Sequence, residues 1–579
     1  MDVLNLYLHR TGALALRAWH AHPIRVEQIA WTCLALLACE VAFYSLGDYG
    51  IVNGNEALYV ESAREMLRSG NWIFPTLNDL PYLEKPPLFV WLIAAAIRIG
   101  DLFPVFSPEW FPRSVTAVAT VGLVAMASRS SKRLGVGRTG IAAGFILVTT
   151  LGIDVMSRVA MPDMLLAVFF SMACFNMGSA LATGSRTAMR AAAALIGVAC
   201  MVKGPVTLAL ALLLGVAVAI FIPQWRSRAR SLLLDPLLPA LALAPIAGWL
   251  TVTAALQPDA AWRFIVDEQI LRFLGLREPH DYYGGSVFYY IPRLFLFFFP
   301  WSGVLALGWY ATCRGGRRTS DPVRTFLWLC VWVPFGFFSL SSAKANYYIV
   351  LCLPPMALLT AGYLSPLLEA QRRSLVPLAV SVPVFILFLM WCYRWWAKTT
   401  ARTPPLLPEP DGSGSLTMLV VLAITVFIVM LVQYDWRRVA LLCLGALVLP
   451  ISMEFDHIVT RVEPLISART LAETIKTQYP NIPVYLYQDY EAVGALPVYL
   501  GHTVPVIDSM SSDLAYGRVK DPLHPNFVRA AEVAARDSGL VVVRDDRLQV
   551  FRSSPLAKNV QMTVRAGSAS VFRLGGRGG

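Results

Sequence analysis

Charge is scarce in this chain of 579 residues: 15% are Asp, Glu, Lys or Arg, against 56% apolar, and the mean hydropathy is +0.57. So low a charge density excludes a soluble enzyme and fits a polytopic helical membrane protein. Cysteine is also sparse. The nine fall at irregular spacing in or beside apolar runs (33, 39, 174, 200, 313, 330, 352, 392, 443), which excludes a disulfide framework and a CxxC metal site. There is no GxxxxGK(S/T) loop and no GxGxxG after a strand, so a nucleotide donor or ATP coupling has no motif behind it. No short apolar core with a small-residue cleavage site follows Arg10, Arg17 and Arg25, and the N-terminus reads as a retained cytoplasmic anchor. No repeat of the inverted-transporter kind is visible. The formal charge of +12 is dispersed in short clusters between apolar runs, where it orients helices and meets anionic headgroups; that distribution argues against nucleic acid.

What is present is a series of apolar runs long enough to cross a bilayer. Thirteen are read as spans, at about 27–46, 111–130, 139–152, 163–183, 188–202, 205–222, 236–256, 288–312, 323–340, 349–365, 374–396, 415–433 and 438–453. A further run at 86–100 is placed in the interface or as a re-entrant segment. If it crossed, the basic loop with Arg129, Lys132, Arg133 and Arg138 would fall outside, against the positive-inside tendency. Six basic loops then agree, and the N-terminus lies inside. The expected architecture is an all-α membrane domain over residues 1–453, with a first outside loop at 47–110 carrying interfacial helices, and a small α/β extracytoplasmic domain over 454–579. In that tail RTLAETIKTQYP and NFVRAAEVAARDSG read as helices and VYLYQ, HTVPVI and GLVVVR as strands.

This topology places the uncommon polar residues of the outside loops in one compartment. They are Asn55, Glu56 and Tyr59 after the first span, Tyr82, Glu84 and Lys85 in NDLPYLEKPPLFVWL, and Arg158 and Asp163 in SRVAMPDMLL. Lys203 in MVKGPV, Glu268 and Arg272 in VDEQILRFLG, His280 in REPHDYY, and Lys344, Tyr347 and Tyr348 in SSAKANYYIVLCLPP complete the set. Taken singly, each has a plain structural reading. Lysines snorkel at helix ends, Glu268 and Arg272 make an i,i+4 pair, and tyrosines form interfacial belts. Their shared side favours a functional cavity. Lys and Arg from separate loops suit a phosphate held beside lipid, and carboxylates suit a hydroxyl, an amine or a bound cation. Without a nucleotide motif, the phosphate-linked donor is expected to be lipid-borne.

These motifs resemble the GT-C superfamily of polyprenyl-phosphate-sugar-dependent glycosyltransferases. The features are an Asn55-Glu56 pair after the first span, a K-P-P-L-x-x-W-L run, an R-x-x-x-x-D loop, a K-G-P turn, an E-x-x-x-R-F loop and an A-K-x-x-Y-Y segment before P-P. Within it they are similar to the bacterial lipid A aminoarabinose transferases, the ArnT group of glycosyltransferase family 83. The resemblance implies transfer of 4-amino-4-deoxy-L-arabinose from undecaprenyl phosphate to a lipid A phosphate, on the periplasmic side of a bacterial inner membrane. It implies catalytic roles at Asn55, Glu56 and Asp163, and donor-phosphate binding by Lys85, Arg272, Tyr347, Tyr348, Lys203 and Lys344. Substrate contacts would come from Tyr59, Tyr82, Arg158 and Glu268, and a divalent metal ion would sit at Glu84 and His280. The family pattern has an acid where this chain has Asn55, and an amide is neither a base nor a negative charge. Either Glu56 takes the role or the chain is an Asp-to-Asn variant made inactive, which is the reading preferred here. The alternatives are the same fold with a protein or envelope-glycan acceptor, and a lipid-linked sugar flippase, for which ionisable groups at both mouths would be expected.

Overall fold

Hydrocarbon offers the backbone no partner but itself, and the apolar runs accordingly fold as helices. The computed structural model describes residues 23–136, 139–279, 284–314, 321–369, 413–433, 436–536 and 538–575. Among the described residues six helices are long and apolar enough to cross a bilayer: Trp110–Arg133, Pro162–Thr183, Leu237–Leu256, Pro322–Leu340, Asn346–Leu364 and Arg437–Ile466. Three pairs are bent, Gly140–Val148 with Leu151–Ser157 by 64°, Val206–Phe221 with Pro223–Leu233 by 108°, and Val287–Phe297 with Ser302–Tyr310 by 100°; counting each as one span gives nine.

Among the described residues, thirteen uninterrupted spans are not found. The expected span at 374–396 lies outside the described residues. Those at 139–152 and 288–312 are broken, and the two breaks lie against each other. The Leu151 N–H donates to the Phe299 carbonyl at 2.9 Å, and Trp301 Nε1 donates to Thr149 Oγ1 at 2.9 Å. Pro300 has no N–H to continue a helix, so each broken end completes the other. Leu88–Gly100, with 13 residues, rises about 20 Å, less than the roughly 30 Å of a bilayer's hydrocarbon core.

The last membrane helix continues past the expected boundary at 453, through Val448–Ile466. Beyond it come the helix Arg469–Gln478, as expected, and a six-stranded mixed sheet in the order β5-β4-β3-β6-β8-β7. Its strands are β3 (Val484–Tyr487), β4 (Val506–Ile507), β5 (Phe527–Val528), β6 (Leu540–Arg544), β7 (Val560–Ala566) and β8 (Ala569–Leu574). The first four are mutually parallel; β8 and β7 add antiparallel. The stretch read as one helix over 526–539 instead gives β5 and the short helix Ala530–Ala534, because Phe527 and Val528 are drawn into register with Val506 and Ile507.

The first outside loop is clamped between these two parts. The helix Asn55–Ser69 buries ten of its fifteen residues, so it is an internal element rather than one lying on the membrane surface. After it, β1 (Thr76–Leu77) and β2 (Leu80–Pro81) form a hairpin whose turn, Asn78-Asp79, has both residues at positive φ. Asn78 is buried. Its amide exchanges two hydrogen bonds of 3.0 Å with the Val504 backbone, and its carbonyl accepts from Asn526 at 2.8 Å, locking the hairpin into the C-terminal domain.

Candidate active site

Segments leaving several helix ends meet beneath the C-terminal domain. Gly54, at φ 81°, adopts a backbone open to glycine and starts the helix at Asn55. The Asn55 amide donates to the Tyr347 hydroxyl at 3.2 Å. Tyr347 and Tyr348 lie on the tight helical turn Asn346–Cys352. Lys203 Nζ is 4.0 Å from the centre of the Tyr348 ring and 5.3 Å from that of Tyr347. Lys203 closes the helix Arg186–Lys203 and pairs with Asp163, in the first turn of Pro162–Thr183. The second oxygen of Asp163 is buried without a hydrogen-bond partner, a costly state that a bound hydroxyl or ammonium would relieve.

A cluster of cations adjoins this pair. The segment Arg263–Leu271 is a π-helical turn, and its i→i+5 register brings Arg263 onto Glu268 at 2.9 Å. Glu268 also takes Arg277 at 2.9 Å and Arg272 at 3.4 Å. Glu84, from the loop after β2, takes Arg277, Arg272 at 3.4 Å and Lys85 at 3.7 Å. Burial acts to raise the Glu84 carboxyl, but Arg277, Lys85 and Arg272 outweigh it and hold it well below the usual range. Burial, and then neighbouring Glu84, push Glu268 up. The same burial, with Arg272 beside it, brings the Lys85 ammonium down to about 8. Lys85 and Arg272 keep 16% and 19% of their side chains exposed, whereas Arg277 keeps 3%. The first two can therefore reach a ligand, while Arg277 holds the carboxylates that orient them.

Tyr59 and Tyr82 are buried nearby. Burial, followed by Asp163 and Glu84 for Tyr59 and by Glu84 and Asp513 for Tyr82, keeps both hydroxyls protonated. Asp513 approaches from the C-terminal domain; burial, then Glu84 and Glu491, raise its carboxyl, while Arg277 and Arg272 pull it down. A preorganised set of cations, amide and phenols around a partly open space is suited to holding a phosphate and the group it carries.

The chain matches the family model described as dolichyl-phosphate-mannose-protein mannosyltransferase over residues 44–250. It is 30% identical over 352 residues to an undecaprenyl phosphate-alpha-4-amino-4-deoxy-L-arabinose arabinosyl transferase of Pseudomonas fluorescens, covering 59% of this chain and 61% of that one. With the enzyme of the same name from Pseudomonas aeruginosa it shares 33% over 343 residues, 57% of this chain and 58% of that one. The chain thus spans about three-fifths of the length of these relatives. In three dimensions it matches ArnT from Cupriavidus metallidurans, solved bound to undecaprenyl phosphate, with a TM-score of 0.75 at 22% identity over 94% of this chain and 98% of that one. The chain has the fold of that ArnT.

Within this fold, several residues read as site residues are structural. Glu56 is buried and accepts Arg113 Nε at 2.8 Å and Nη2 at 3.0 Å, the Val52 N–H at 2.8 Å and the Ala160 N–H at 2.9 Å. The remaining Arg113 donors go to the carbonyls of Leu46, Tyr49 and Gly50. With every lone pair engaged, Glu56 cannot replace an acid at position 55. Glu56→Gln, which turns an acceptor into a donor facing other donors, is expected to cost about 3 kcal/mol of stability, read from unfolding of the purified protein. Wild-type stability in that variant would remove the assignment.

Arg158 is likewise a buried tie, donating to Asp154 at 2.7 Å, Asp456 at 2.6 Å and Ser452 at 2.7 Å, and so joining two helices rather than meeting substrate. Lys344 donates to the carbonyls of Phe338, Ser339 and Ser341 at 3.4, 2.8 and 2.7 Å. It caps the helix Pro322–Leu340 instead of gripping a phosphate. Glu84 is committed to guanidinium groups, and among the described residues no three His, Cys, Asp or Glu side chains are grouped to hold a metal ion. His280 lies outside the described residues. The geometry gives no support to reading Asn55 as an inactivating replacement, since its amide makes a hydrogen bond of its own.

Proposed function

We propose that the chain transfers 4-amino-4-deoxy-L-arabinose from undecaprenyl phosphate to a phosphate of lipid A, on the periplasmic face of a bacterial inner membrane. The observation that carries this reading is the convergence of two partly exposed cations, Lys85 and Arg272, beside the Asn55–Tyr347 and Asp163–Lys203 pairs. Lys85 and Arg272 hold the donor phosphate and Tyr347 borders it. The unpartnered oxygen of Asp163 accepts from the sugar. The acceptor oxygen attacks the anomeric carbon opposite the donor phosphate. As the new carbon–oxygen bond forms, the bond to the donor phosphate breaks, and undecaprenyl phosphate leaves with the negative charge that the cations stabilise.

A phosphate acceptor is favoured over a protein hydroxyl by the residue at position 55. A phosphate is already ionised near neutral pH, with a second pKa of about 6, and needs no base. A hydroxyl must lose a proton, and Asn55 takes none. The test is mass analysis of lipid A from cells with and without the protein. Aminoarabinose addition that depends on it is expected; unchanged lipid A alongside a newly glycosylated protein or glycan would replace the acceptor.

A further inference from the structure

The segment just before Asn55 is held almost entirely by residues from the far end of the chain. The Asn53 N–H donates to the Ile466 carbonyl at 2.7 Å, and Val52 bridges Ser467. The Gly54 N–H donates to the Glu491 carbonyl at 3.1 Å, and the Ala495 N–H donates to Asn53 Oδ1 at 3.1 Å. Glu491 is thus bonded, through its backbone, to the residue that starts the Asn55 helix.

Its side chain points to the other half of the site. Glu491 Oε1 accepts from the Ser511 hydroxyl at 2.7 Å, the Ser512 hydroxyl at 3.2 Å and the Asp513 N–H at 2.7 Å. Those bonds fix the Asp513 loop, which leads into the helix Ala515–Lys520; there Gly517 packs on Leu80 of the hairpin before Glu84, the Tyr516 hydroxyl donates to Asp259 at 3.3 Å, and the Arg263 guanidinium lies 5.7 Å from the Tyr516 ring. Oε2 of the same carboxyl is buried without a partner. Keeping a carboxyl in that state is costly, and an ordinary loop could be closed by neutral groups at less expense. The carboxyl is placed where three converging donors need a single acceptor.

We infer that Glu491 is a positioning residue for this site: one side chain locks the Asp513 loop while its own backbone locks the Gly54–Asn55 turn, so the C-terminal domain sets the spacing between the two. The inference rests on the proposed reaction. Displacement of a reacting group by an ångström costs up to about a hundredfold in rate, whereas the donor phosphate, held by Lys85 and Arg272, has no direct contact with Glu491.

The experiment uses the full chain in lipid nanodiscs with the undecaprenyl-phosphate-linked aminosugar and lipid A. Glu491→Ala is expected to lower kcat by at least about tenfold while the KM for the donor and the affinity for undecaprenyl phosphate change by less than about twofold. Glu491→Gln retains an acceptor oxygen and is expected to stay within about threefold of wild type. Equal losses in both variants, an unchanged kcat in Glu491→Ala, or donor affinity falling in step with kcat would each overturn the inference. If Glu491→Ala does not accumulate, the Ser511→Ala, Ser512→Ala double variant decides, with a selective fall in kcat expected and an unchanged kcat overturning it. Amide hydrogen exchange separates this from failure of the functional reading. Even if wild type transfers nothing to lipid A, Glu491→Ala should speed exchange at the Asp513 and Leu514 amides while the β3 amides stay protected, and unchanged exchange at those two amides would sink the positioning role.

Discussion

Lys85→Ala is expected to take transfer below detection, a loss of about two to three orders of magnitude in kcat/KM. Lys85 is one of three cluster cations, with Arg272 and Arg263, that keep surface for a ligand, and its ammonium makes a 3.7 Å pairing with Glu84 and a 3.2 Å bond to the Glu84 carbonyl. Removing it takes an ammonium away from a charge that grows on the leaving oxygen. The wild-type pH profile carries a second sign of the same role. With the ammonium brought down to about 8, the free protein loses this positive charge as pH rises through that value, so kcat/KM should fall above it. A bound phosphate stabilises the protonated form, and kcat should therefore hold to higher pH. Both are read from initial rates across pH. A Lys85→Ala protein with ordinary turnover, or a profile flat to pH 10 (roughly the ordinary lysine value), would take Lys85 out of the site.

Asn55→Asp is expected to raise transfer, by at least about tenfold if the position carries the charge-orienting role that the family pattern implies. The substitution keeps the shape and reverses the chemistry. The Asn55 amide now donates to Tyr347; a carboxylate would accept from that hydroxyl and add a negative charge next to the sugar's expected ammonium. Glu56 cannot already be supplying that charge, because Arg113 and two backbone N–H groups consume it. Turnover should change while affinity for undecaprenyl phosphate does not, since the phosphate-binding cations are untouched. Equal turnover of the two proteins would show that position 55 carries no charge-dependent step.

The residues that the sequence grouped and the structure brings together share one property: each lies at or near the end of an apolar run. Lys85, Arg272, Lys203, Asp163 and Tyr347 are ionisable or phenolic groups at loop ends that the count of basic loops assigns to one side, and the structure sets them near one another. Glu56 and Arg158 belong to the same loops and were misread, because their identities depend on partners that no local pattern reveals. Arg113 lies 57 residues from Glu56, and Asp456 lies 298 residues from Arg158. Arg277 sat unnoticed in the same loop as Arg272, where its number of carboxylate partners could not be counted. Asp513 and Glu491 were invisible for a different reason. They lie in a domain that alternation and propensity identify only as α/β, and nothing local says that one of its loops turns toward the membrane. The helix breaks at 149–150 and 298–301 also required the tertiary contact between them, although Pro300 signalled one.

The wide turn at Arg263–Leu271 makes the spacing of this loop unusually sensitive to length. An α-helix advances about 100° per residue, so deleting one residue from the widened stretch would restore ordinary winding and swing everything downstream by that angle. Arg272 would then point away from Glu84, with its charge and its chemical identity unaltered. Shortening by a single amino acid should thus silence the phosphate grip as thoroughly as losing the guanidinium itself.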